Sequence, residues 1–158
     1  MTIKYRSVAG FFVFLLSLPV MASNSIHFTD AWARATFPMA ETGAVYVTLM
    51  NHSEQSLTLV SVSVPDGVAA SAELHSTTMS EGMMKMREIE EGIVLKPHGH
   101  AMLQPGGQHI MLTGLKEGLE PDTSFTLTLH FSDGSQQSLE VPVKDDGGED
   151  DHMNMHEH

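Results

Sequence analysis

Two histidines and two methionines, His75, Met86, His109 and Met111, form a ligand set for a soft metal ion. Imidazole serves several transition metals, but thioether sulfur selects strongly for Cu(I). The chain has no cysteine, which excludes thiolate zinc sites, iron–sulfur clusters and blue copper. His109 and Met111 are two residues apart, so on a β-strand they share one face. They make half a site, and the fold must bring His75 and Met86 to it.

Taken singly, these residues have plainer explanations. Most methionines fill irregular gaps in a core, and core packing is the expectation for Met50 and Met102. His52 and His130 are expected to be surface or hydrogen-bonded histidines. Clustering strengthens the metal reading. Met79, Met83, Met84 and Met86 crowd one stretch beside His75, and His109 follows the turn Pro105-Gly106-Gly107, which exposes the start of a strand. Binding groups often sit where turns meet a rigid scaffold. On the residues alone, packing and a soft-metal site both stay open.

The elements that must position these groups are strands. Residues 44–50 form a mixed apolar strand, and residues 57–64 alternate cleanly before Pro65-Asp66-Gly67. Residues 72–79 and 83–89 form a hairpin around Glu81-Gly82. Short apolar segments follow at 93–95, 101–103 and 109–113, then alternating strands at 124–131 and 137–143 joined by Asp133-Gly134. Many short strands with Gly and Pro turns predict an antiparallel sandwich or barrel.

The ends differ from this middle. Lys4 and Arg6 precede an apolar run from Gly10 to Leu18, and Val20-Met21-Ala22 reads as a cleavage site. Residues 1–22 are therefore expected to be a secretory signal peptide, leaving no membrane anchor after cleavage. Loss of Lys4 and Arg6 leaves six basic against twenty acidic residues, a formal charge of −14 with His neutral. Such a surface repels phosphate backbones and excludes nucleic acid as a natural partner. With no cysteine there is no disulfide, so residues 23–144 must be held by a hydrophobic core.

Residues 145–158 carry six acids, three histidines, two methionines and no basic residue. The composition predicts a C-terminal tail that is disordered when metal-free. His152, Met153, Met155, His156 and His158 are candidate ligands there, the histidines with carboxylates for Cu(II) and the methionines for Cu(I). Whether His27, His98 or His100 joins a metal site stays open; the last two are expected in a loop.

The chain resembles the periplasmic copper chaperones of the PCu(A)C type. The resemblance runs from Asp30-Ala-Trp-Ala-Arg-Ala-Thr36 and Thr42-Gly-Ala-Val-Tyr46 to the last strand. Its most specific parts are Glu73-Leu-His75, Gly82-Met-Met-Lys-Met-Arg87 and Leu103-Gln-Pro-Gly-Gly-Gln-His-Ile-Met-Leu112. The family's Cu(I) ligands fall on His75, Met86, His109 and Met111. Gln108 departs from the pattern, since an aromatic residue is common there. The resemblance implies an all-β, cupredoxin-like antiparallel β-sandwich of Greek-key type. It also implies copper delivery for the CuA centre of cytochrome oxidase, with the apo-CuA subunit or a Sco-type protein as partner. Copper buffering without a dedicated acceptor is the alternative. No nucleophilic triad, phosphate loop or carboxylate pair has recognisable context, so a carrier is expected rather than an enzyme.

Overall fold

The computed structural model describes residues 25–145, which fold into ten strands. The expected signal peptide and the candidate tail ligands His152, Met153, Met155, His156 and His158 lie outside the described residues. The strands are β1 (Ile26–Arg34), β2 (Thr42–Asn51), β3 (Leu57–Ser63), β4 (Ala69–Ser80) and β5 (Met83–Glu88), then β6 (Ile93–Leu95), β7 (His100–Leu103), β8 (Gln108–Leu115), β9 (Ser124–Phe131) and β10 (Gln136–Lys144). β1 escaped the sequence reading because acidic and polar residues interrupt its apolar ones.

Hydrogen-bonded neighbours follow the order β5-β4-β8-β2-β1-β10-β9-β3-β6, with β7 pairing β2. The chain passes repeatedly between the β1 half and the β10 half, as a Greek-key sandwich requires. The pairing departs from a purely antiparallel sheet at one seam. There β1 and β10 run parallel, with Ala33 opposite Val143 and Arg34 opposite Lys144.

Alternation decides which side chains fill the middle. Val45, Val47 and Leu49 of β2, with Ile110 and Leu112 of β8, point inward from one half. Leu59, Leu127, Leu129 and Val141 meet them from the other, in one continuous core. Each such side chain stabilises the fold by roughly 1.5–3 kcal/mol when fully buried. This is how the domain stands without a disulfide.

Two expectations fail here. Met50 and Met102 are not core residues; they are 37% and 49% exposed on the outer face of their strands. Val45, Val47 and Leu49 take the inner positions of β2, so parity sends Met50 outward. His100 is not in a loop but opens β7. His130 is hydrogen-bonded as expected, its Nε2 lying 2.8 Å from the Ser63 hydroxyl.

Candidate metal centre

The outer face of the β1 half gathers the candidate ligands. β4 and β8 run antiparallel in a register that sets His75 directly opposite His109, and their ring centroids are 6.1 Å apart. Met111 shares the face of His109 and sits opposite Glu73 on one side and Ala44 on the other. Met86 of β5 is opposite Thr77, two residues from His75 and on its face. All four predicted residues thus point to one side of the sheet.

Local backbone explains how each arrives. The turn between β7 and β8 needs a positive φ, which Gly106 supplies at 78°. Gly107 then places its carbonyl 3.1 Å from the His109 Nδ1. An Nδ1–H donated to that carbonyl leaves the Nε2 lone pair free for a metal. The same carbonyl accepts the Thr77 backbone N–H at 3.1 Å, tying the turn to β4. Glu81 and Gly82, at φ 54° and 78°, close the β4–β5 hairpin that carries Met86.

His109 is only 5% exposed, not set out at an open strand start. The Tyr46 ring lies 6.4 Å from it, and Trp32 covers Tyr46 at 4.6 Å. The small Ala44 between Tyr46 and Met111 leaves room above the sheet. A depression of about 350 Å³ opens there, lined by Ala44, Tyr46, Met84, Met86 and His109 among others.

His75 has one ring nitrogen paired and the other unpaired. Its Nε2 is 3.2 Å from Glu73 Oε2, while its Nδ1 is buried with no hydrogen-bond partner among the described residues. A buried imidazole nitrogen left unpaired costs free energy unless something accepts its lone pair. If Nε2–H donates to Glu73, Nδ1 is the free donor atom, and the carboxylate holds the ring as such groups hold metal-binding histidines. Ser71 steadies the other Glu73 oxygen with a 3.2 Å hydrogen bond. Glu73 was legible as part of a Glu-x-His pair on one strand face, but its role was not read from sequence.

Met79 and Met84 are paired across the hairpin on the same face, and both are exposed. Met83 points to the opposite side. A separate depression between Gly67 and Phe125 contains neither imidazole nor thioether.

The family model described as "Putative lipoprotein LpqE-like" matches residues 26–143. The chain belongs to the LpqE-like family. A protein of Leifsonia xyli subsp. xyli described as "Putative lipoprotein Lxx21020" is 34% identical over 130 residues, covering 82% of this chain and 76% of that one. Among solved structures, the CuI form of DR1885 from Deinococcus radiodurans is 31% identical, with TM-score 0.59 over 84% of this chain and 83% of that one. A copper-bound PCuAC domain from PmoF2 shares the fold at 20% identity, with TM-score 0.61 over 76% of this chain and 92% of that one. This LpqE-like domain therefore has the cupredoxin-like PCuAC fold, and the kinship read from its sequence holds.

Proposed function

We propose that this LpqE-like protein is an exported copper carrier that binds one Cu(I) through His75, Met86, His109 and Met111. The observation that carries the reading is the register of β4 on β8, which opposes two histidines, together with a His75 Nδ1 that is buried without a partner among the described residues. The copper-bound state of the solved relatives supports it. Two imidazoles and two thioethers are neutral, so the bound ion keeps its single positive charge. Glu73 beside His75 and Glu88 opposite it favour a cation at this point. Met86, 52% exposed on the outermost strand, is the ligand from which an acceptor can begin exchange.

The physiological acceptor in this proposal is the apo-CuA subunit of cytochrome oxidase, directly or through a Sco-type protein. Copper X-ray absorption of the Cu(I)-loaded protein should show both nitrogen and sulfur scatterers. A spectrum without a sulfur shell would rule out the thioether ligands. Incubation with an apo-CuA domain should then move the copper to that domain. Copper that stays behind would make the protein a buffer instead.

The proposal extends to a second ion. His152, His156 and His158, with the acids around them, offer Cu(II) ligands, and Met153 and Met155 add thioethers for the reduced ion.

A further inference from the structure

His27, Met50 and His100 stand side by side on three adjacent strands. His27 of β1 is directly opposite Met50 of β2, and Met50 is directly opposite His100 of β7. All three are exposed on the outer face. Just past the end of β2, His52 sets its ring 6.1 Å from that of His27, edge to face. Met102 follows His100 on the same face, opposite Thr48.

Three of these five residues form an uninterrupted cross-strand row. Directly opposed side chains have Cβ atoms roughly 4.5–5.5 Å apart. Two strand spacings put His27 and His100 about 9.5 Å apart across the sheet. Two imidazoles flanking a central thioether can close on one ion over that span. Among the described residues, no three His, Asp or Glu groups converge on one point. The row itself contains no carboxylate, and hard divalent ions favour oxygen ligands. With the thioether counted, the chemistry is that of a soft monovalent ion.

The row is also held in place. Asn51, between Met50 and His52, is 1% exposed. Its Nδ2 donates to the carbonyls of Gln55, Leu95 and Lys96 at 2.8, 3.1 and 3.1 Å. Its Oδ1 accepts from the Ser53 backbone N–H and hydroxyl at 3.0 and 2.8 Å. The Asn51 backbone N–H donates to Gly99 at 2.8 Å. One buried side chain thus fixes both the turn after His52 and the turn that delivers His100.

We infer that His27, Met50 and His100 form a second Cu(I) site on the outer face of the sheet. It is separate from the His75 centre. Met50 is six residues along β2 from Ala44, the residue opposite Met111, which is about 20 Å at strand rise. The two sites share no residue, so either proposal can fail without the other.

The test uses the full chain lacking only residues 1–22, with labelled methionine methyls and histidine rings followed by NMR. Ag(I) serves as a redox-inert probe for Cu(I). The Met50 methyl and the His27 and His100 rings should shift together and saturate. Met50→Leu should weaken the response of both rings at least tenfold and leave the Met86 and Met111 methyls saturating as before. His27→Gln with His100→Gln should remove the Met50 shift, and this pair guards against a folding defect in the first variant. Rings that stay unmoved while Met111 saturates would overturn the second site. So would ring shifts that persist unchanged in Met50→Leu, because the histidines would then bind independently. Movement at Met50 without movement at Met111 would support this site and refute the His75 ligand set.

Discussion

At the scale of single residues, the thioethers separate a copper site from ordinary packing. Met111 is half-buried beside His109, where a core methionine and a ligand look alike from sequence. Met111→Leu keeps the bulk and removes only the sulfur. Unfolding stability should change by less than about 1.5 kcal/mol, since similar-volume apolar swaps are well tolerated. Cu(I) affinity should fall by about tenfold or more, equivalent to ~1.4 kcal/mol. A competition titration against a Cu(I) chelator measures this, and unchanged affinity would return Met111 to packing. Met83→Leu is the control, because Met83 faces away from the ligands. The Asn51 amide makes a different prediction. Asn51→Ala leaves the Leu95 and Lys96 carbonyls and the Ser53 N–H without their buried partner. Urea unfolding should show a loss of about 2–4 kcal/mol.

At the scale of elements, the β4–β5 hairpin carries His75 and Met86 of the proposed centre. Among the described residues β5 pairs only with β4, at the edge of the strand order, and its methionines are exposed. β8, by contrast, lies between β4 and β2 and buries Ile110 and Leu112 in the core. Few buried contacts mean easy local opening. Amides of β5 should therefore exchange with solvent about tenfold or more faster than those of β8 in the metal-free protein. Cu(I) should slow exchange in β5, because Met86 then bonds to an ion held by β4 and β8. Equal protection in β5 with and without copper would show that Met86 is not a ligand.

At the scale of the whole molecule, acidity and the two ends set the context. A net charge of −12 for the full chain attracts cations and basic protein faces over distances near the Debye length, about 8 Å at physiological salt. The six carboxylates after Lys144 contribute to that field. Deleting residues 145–158 should lower the number of Cu(II) ions bound at equilibrium dialysis. Cu(I) affinity at the His75 centre should stay within about twofold, as expected for sites without shared partners. Equal Cu(II) binding with and without these residues would make them a solvated terminus only.

The sequence by itself determined most of the strands and suggested the chemistry. Residue type pointed to a soft metal, and strand parity put His109 and Met111 on one face. The hairpin of β4 and β5 and the strands β9 and β10 were legible because their turns are local. Register between distant strands was not legible, since any one-residue slip preserves the same local pattern. Only the pairing of β4 with β8 set His75 against His109. Only the packing of the two halves showed that Val45, Val47 and Leu49 own the inner face of β2, which turned Met50 out to the histidines beside it. A bulge in β1 between Thr29 and Trp32 completes the point. One extra residue there puts His27 and Trp32 on the same face, although their separation along the chain has the wrong parity. Such a bulge is settled by long-range pairing with β2, which no local pattern in β1 contains.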